Sequence, residues 1–189
     1  MLWACIYLPH LGIDSVLRRH PTPELPLVTA GGTPERRQVV AVNTAAARAG
    51  LRPGQSLSAA HALLTNFTMV EHDEAAIARW QRFLAAWAYR YSSQVFADWP
   101  NCIVLEVAGS FGIRGAWPTF QAQLRDDLKA LGFRHRIAMA PTPRAARILS
   151  RVQDGLAVDH PDRLQATLGR VPVRCAYLPE DIGDRLYSM

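Results

Sequence analysis

Lysine is nearly missing from this chain. Lys129 stands alone among 21 basic residues, and the rest are arginine. The formal charge of +5 gives a basic balance, which favours polyanionic partners through counterion release. Spread over 189 residues it is equally the charge of an ordinary soluble protein. Cysteine is scarce as well: Cys5, Cys102 and Cys175 are an odd number at long spacings. That pattern argues against a disulfide framework or a zinc site and for reduced thiols in a cytoplasmic protein. Cys5 and Cys102 fall in apolar stretches and read as buried structural thiols. No apolar run approaches the roughly 20 residues a membrane helix needs. Residues 1–8 are apolar but lack a preceding basic region and a small-residue cleavage site, so no signal peptide is expected. The six histidines show no metal-ligand spacing, and no serine has a nucleophile-elbow context. Gly109, Gly112 and Gly115 read as a loop and not as a phosphate cradle.

What is present describes a folded core. Hydrophobic residues make up 49% and charged residues 20%, enough for one domain or two small ones. The pattern is α/β. Strands are expected near 2–8, 26–30, 38–42, 67–71, 94–98, 102–107 and 135–140. Helices are expected near 11–19, 56–64, 73–91, 117–131 and 142–153. In the helix at 73–91, Asp73 can cap the start, while Ile77, Trp80, Leu84 and Trp87 form a stripe facing the core. Asp98-Trp99-Pro100-Asn101 suits a turn between two strands. Trp99 is either buried there or part of an exposed face that a partner reuses.

Two segments carry more specific information. Residues 91–110 read YSSQVFADWPNCIVLEVAGS, and residues 1–19 read MLWACIYLPHLGIDSVLRR. The first resembles the central palm hairpin of the Y-family translesion DNA polymerases, S-P-x-V-E-x-x-S-I-D-E-A-x-L-D-x-T-G. Ser93, Val95, Leu105, Val107 and Gly109 fall in step, and Glu106 stands at the later aspartate. The aspartate-glutamate pair that holds metal in that family falls on Asn101 and Cys102. The second resembles the family's opening strand, which ends in D-M-D. Its aspartates fall on Tyr7 and Pro9, and Asp14 lies about a helical turn further on. Two-metal phosphoryl transfer needs carboxylates to hold Mg²⁺. Asn101 carries no charge, and Cys102 is a soft ligand. Glu106 is one retained acid near the expected metal position, and one carboxylate cannot build a two-metal clamp. The resemblance therefore points to the ImuB-type Y-family pseudo-polymerases, with no metal and no cofactor implied.

The phosphate-binding elements of that family have partial counterparts. Residues 43–54, NTAAARAGLRPG, resemble the fingers element that contains Y-x-A-R. Arg48 keeps the arginine, while the tyrosine falls on Ala45. Arg48 is either a phosphate ligand or a solvated arginine that packs its stem. Residues 135–151, HRIAMAPTPRAARILSR, resemble G-I-A-x-N-K-x-x-A-K-x-A-S, and the second lysine falls on Arg147. Thr142 suits an N-cap and Pro143 the first helical position. Arg144, Arg147 and Arg151 share one helix face, which is either a nucleic-acid contact or an ordinary solvated face.

The resemblance implies an α+β fold: a Y-family palm, ferredoxin-like with an antiparallel-rich sheet and helices on one face, plus a small fingers insert. The palm is expected at 1–10 and 72–155, the fingers at 11–71, and a thumb cut short at 156–189. The implied role is a non-catalytic accessory factor of error-prone translesion synthesis in the bacterial SOS response. Implied partners are primer-template DNA, an error-prone DnaE-type polymerase, a RecA-like ImuA partner and the β sliding clamp, mostly through regions beyond this chain. The alternatives are a nucleotide- or DNA-binding module and a weakly active nucleotidyltransferase that uses Glu106 and displaced ligands.

Overall fold

The protein is described by a computed structural model that defines residues 1–177. The remainder of the expected thumb segment lies outside the described residues. In chain order the elements are β1 (Trp3–Tyr7), α1 (Leu11–Leu17), β2 (Leu27–Gly31), β3 (Gln38–Val42), α2 (Thr44–Arg48), α3 (Leu57–Leu63), β4 (Thr68–Glu71) and α4 (Glu74–Ala88). They continue with β5 (Val95–Phe96), β6 (Cys102–Glu106), α5 (Phe111–Arg114), α6 (Trp117–Ala130), β7 (Arg136–Ala140), α7 (Pro143–Val152) and α8 (Pro161–Leu168). All seven expected strands and all five expected helices are present, with ends shifted by a few residues. The helices α5 and α8 come in addition. The short helix α2 is a further addition, and the chain turns away from it at Gly50, whose φ of 96° suits glycine.

The chain divides into two compact units. One comprises Met1–Pro9, Gln81–Leu128 and the chain from His135 onward; the other comprises His10–Trp80 and Lys129–Arg134.

The first unit is built on a four-stranded sheet in the order β5-β6-β1-β7, antiparallel throughout. Register assigns its two faces. Trp3, Cys5 and Tyr7 of β1 lie opposite Glu106, Val104 and Cys102 of β6, and opposite Ala140, Ala138 and Arg136 of β7. On this face the small residues Cys5, Cys102, Ala138 and Ala140 allow close approach of α7, whose Ala145, Ala146 and Leu149 are buried against them. The alternate residues Ala4, Ile6, Ile103, Leu105, Ile137 and Met139 are buried on the opposite face. The long helices α4 and α6 bring buried stripes to match: Leu84 and Ala88 from one, and Phe120, Leu124 and Leu128 from the other. Each fully buried Leu, Ile or Phe contributes roughly 1.5–3 kcal/mol, so this layer is the main support of the unit.

Tyr91 joins the two helices. Its ring lies 5.2 Å from Trp87 and 5.8 Å from Phe120. Its hydroxyl donates to Asp127 Oδ2 at 2.7 Å. Burial first, and then the Asp127 carboxylate, push the Tyr91 phenol well above its ordinary pKa. This is the antiparallel-rich palm layer expected from sequence, and α7 covers the face that α4 and α6 leave.

The second unit carries a three-stranded sheet, β3-β2-β4, with β2 antiparallel to β3 and parallel to β4. Val28, Val39, Ala46, Leu51 and Ala60 form its small core. Two polar anchors hold its loops. Asn43 is 2% exposed, and its side-chain oxygen accepts from Ala46 N at 2.8 Å and Leu27 N at 3.1 Å. Its amide donates to the carbonyls of Leu25 at 2.7 Å and Pro23 at 3.1 Å. Asp14 is 3% exposed and accepts from the Arg134 backbone N–H at 2.9 Å and from its guanidinium at 2.8 and 2.6 Å.

Candidate functional site

The two sequence segments that lack the expected acids meet in the first unit. Tyr7 ends β1 and Cys102 begins β6, and they are register partners. Beyond them Leu8 N–H donates to the Asn101 carbonyl at 2.8 Å. Pro9 follows immediately, half-buried. Tyr7, Pro9, Asn101 and Cys102 are thus gathered at one end of the sheet.

The β5–β6 turn is held by a residue that sequence reasoning did not single out. Gln81 Nε2 donates to the carbonyls of Ala97 at 2.5 Å and Trp99 at 2.8 Å. Its side-chain oxygen accepts from Asn101 N–H at 3.0 Å. Asn101 has φ 57°, a left-handed conformation that asparagine tolerates better than most residues. Asn101 therefore closes a turn with its backbone.

Cys102 is fully buried. It sits beside Cys5, which lies on the same sheet face, and both thiols are free. Over them the Arg147 guanidinium is sandwiched between two rings, 4.6 Å from the Trp99 centroid and 3.4 Å from that of Tyr177. Arg151 approaches Tyr177 from the next turn of α7 at 4.9 Å. Hydrogen bonding from Cys5 lowers the Cys102 thiol to about 7; burial opposes this, and the nearby Arg147 charge assists it. The Cys5 thiol is pushed the other way, by burial first and then by its bond with Cys102. Burial, followed by the neighbouring Cys102, raises the Tyr177 phenol.

These donors do not fit a pair of hard divalent cations. Proline offers no side-chain ligand, asparagine no charge, and cysteine a soft sulfur under a guanidinium. Among the described residues no group of three or more His, Cys, Asp or Glu side chains converges as a metal would require.

Glu106 is not near this place, contrary to the expectation from sequence. It lies at the far end of β6, opposite Trp3, and about 3.3 Å of rise per residue carries it roughly 13 Å from Cys102. Its carboxylate accepts from Leu2 N at 3.3 Å, Ala108 N at 3.1 Å and Gly109 N at 3.0 Å. It caps the turn that follows the strand. Asp14 is equally committed, to Arg134 within the second unit.

The arginine candidates separate. Arg144 and Arg151 are exposed on α7, whereas Arg147 is half-buried in its ring sandwich. Its Nε is buried without a hydrogen-bond partner among the described residues. Arg48 is exposed at the end of α2 in the second unit. Tyr177 was not foreseen: it lies about 30 residues beyond Arg147, and no periodicity connects them.

The sheet order, the long helices on one face and α7 on the other define the fold of the Y-family DNA polymerases. Solved structures with this fold include an insertion ternary complex of Dbh DNA polymerase, with a TM-score of 0.77 and 14% identity, covering 100% of this chain and 57% of that one. DinB from Sulfolobus solfataricus matches with a TM-score of 0.71 and 14% identity, over the same shares of the two chains. The profile of the impB/mucB/samB family matches residues 12–151, and the chain belongs to that family. It is 31% identical over 124 residues to Protein ImuB of two Caulobacter vibrioides strains, NA1000 / CB15N and ATCC 19089 / CIP 103742 / CB 15. That match spans 66% of this chain and 27% of the relatives' length. No helix among the described residues is long and apolar enough to cross a membrane.

Proposed function

We propose that this chain is the palm and fingers portion of a non-catalytic Y-family relative, a scaffold in error-prone translesion synthesis within the SOS response. In this reading residues 1–10 and 72–155 are palm, 11–71 are fingers, and a thumb begins at 156. The observation that carries it is the donor set around the Tyr7–Cys102 pair. A phenol, a proline, an asparagine and a thiol stand where metal carboxylates are needed, and Arg147 adds positive charge where the chemistry would need cations. The similarity to proteins named ImuB supports a role in mutagenesis.

The structures of similar fold include polymerase complexes, which supports a contact with primer-template DNA. Arg48, Arg144 and Arg151 are the exposed candidates for its backbone, with Arg147 held back by Trp99 and Tyr177. In the same reading the protein is cytoplasmic. It works with a DnaE-type polymerase, a RecA-like partner and the sliding clamp, largely through regions outside this chain. A nucleotide- or DNA-binding module without such partners is the second reading, favoured by the exposed arginines alone.

Primer extension tests the proposal. Homogeneous protein in molar excess over a labelled primer-template, with Mg²⁺ or Mn²⁺ and all four deoxynucleoside triphosphates, is expected to add no nucleotide. Templated extension that copurifies with the protein and disappears in a Cys102→Ala variant would overturn it.

A further inference from the structure

The face of the sheet that carries α7 is not fully covered. Between the start of α7 and the β5–β6 hairpin lies an open groove of about 540 Å³, lined by Trp3, Phe96, Trp99, Thr142, Pro143 and Arg144. Almost all of its lining is carbon. Trp3 comes from β1 and Phe96 from β5, with Phe96 opposite Val104 and so on the α7 side of the sheet. Phe96 is 37% exposed and stands edge-on to Trp99 at 4.9 Å. Aromatic residues and arginine beside an apolar hollow are the composition of an interface centre, where large side chains are anchored. β5 ends the sheet order, so its outer backbone has no strand partner among the described strands.

Charge selects the occupant. The helix α7 has three arginines and no acid. Arg144 stands on the groove rim, and its side chain makes no ion pair or hydrogen bond among the described residues. We propose that this groove is a docking site for an extended, acidic segment of a partner protein. A large apolar side chain of that segment would enter between Trp3, Phe96 and Pro143, and a neighbouring carboxylate would meet Arg144. Extended peptides join open strand edges in this way, with the backbone giving affinity and pockets giving specificity. A single strand of nucleic acid is the less favoured occupant, because Arg144 is the one charged residue lining the hollow among the described residues and a strand needs a positively charged groove along its backbone. The inference extends the scaffold reading by placing a partner surface on this chain, and its test is independent of polymerase activity.

The test uses the full chain labelled at its tryptophan indoles and three probes. The first is a blocked peptide with leucine and phenylalanine flanked by aspartates; the second replaces the aspartates by lysines; the third is a thymidine octamer. The acidic peptide is expected to shift the indole resonances of Trp3 and Trp99 and to leave Trp80, Trp87 and Trp117 in place. Saturation is expected at about 0.01–1 mM. The lysine peptide should bind roughly ten-fold more weakly, and Arg144→Glu should weaken the acidic peptide by a similar factor. Phe96→Ser should abolish the shifts while Trp80 and Trp87 report an intact fold. The proposal is overturned if the acidic peptide gives no shift at millimolar concentration, or if the octamer alone moves Trp3 and Trp99. It is also overturned if dilution of the chain alone moves them, which would make the occupant a second copy.

Discussion

Tyr7 and Cys102 face each other across β1 and β6, the last residue of one strand against the first of the other. Their side chains share the sheet face that α7 covers, so any group placed at these two positions is forced into proximity. The geometry for a paired ligand set is present, and the residue chemistry is not.

Restoring that chemistry should restore metal affinity. Unmodified protein is expected to show no change in melting temperature on addition of millimolar Mn²⁺. The double variant Tyr7→Asp, Cys102→Glu should lose roughly 2–4 kcal/mol without metal, because two carboxylates then crowd one partly buried place. Millimolar Mn²⁺ should return about 1–3 kcal/mol by binding the folded state. Thermal unfolding with and without Mn²⁺ reads both effects. A metal-dependent rise in the unmodified protein would contradict this account of the donor set.

Arg147 sits where cation–π contacts to Trp99 and Tyr177 operate together. Each such contact contributes about 0.5–2 kcal/mol. Arg147→Ala should therefore cost roughly 1–3 kcal/mol in urea unfolding and alter the near-ultraviolet signal of Trp99 and Tyr177. Arg147→Lys should recover less than half of the loss, because a compact ammonium cannot stack its plane between two rings.

The buried thiol gives stability a specific pH dependence. The folded-state pKa of Cys102 is about 7, below the roughly 8.5 of a free thiol. A group with a depressed folded pKa contributes stability that is fully present above its unfolded pKa and is lost as pH falls through its folded pKa. Between pH 7 and 8.5 this contribution should rise to at most about 2 kcal/mol. Cys5, shifted upward, acts in the opposite sense, but only once the unfolded thiol ionises above that window. Urea midpoints measured from about pH 6.5 to 8.5 should rise with pH, and Cys102→Ser should flatten the slope.

Most of the fold was legible because its elements are short and strongly patterned. Cys102–Leu105 and Ile137–Ala140 are continuous apolar runs, as a strand covered on both faces requires. The gathering of Tyr7, Pro9, Asn101 and Cys102 at one end of the sheet was legible too, since it follows once both segments are strands of one sheet. Other features were not legible. Helix α8 begins at Pro161 after an N-cap His160, whose ring accepts from Asp162 N–H, and histidine is a weak cap signal beside Ser or Asp. The sequence places Glu106 near the expected metal position. Sequence distance hid the fact that an extended strand carries it away, and that its carboxylate caps the next turn. Tyr177 and Gln81 act through tertiary contacts that no local period announces.

Asn43 offers the sharpest stability test in the second unit. A buried asparagine side chain has two donors and two acceptor sites, and here all four are used: Ala46 N and Leu27 N on its oxygen, Pro23 O and Leu25 O on its nitrogen. Asn43→Ala removes the N-cap of α2, worth about 1 kcal/mol. It also strands the Leu27 N–H and two loop carbonyls, at about 1–3 kcal/mol for each that water cannot reach. A total loss of roughly 3 kcal/mol is expected in denaturant unfolding, with faster hydrogen exchange at Ala46 and Leu27. Asn43→Asp should keep the acceptor bonds and so preserve the protection of Ala46. It turns a second carboxylate oxygen toward the Pro23 and Leu25 carbonyls, so the residues before β2 should loosen while α2 remains capped. If Asn43→Asp exposed Ala46 as much as Asn43→Ala does, the side-chain oxygen would not be what holds the start of α2.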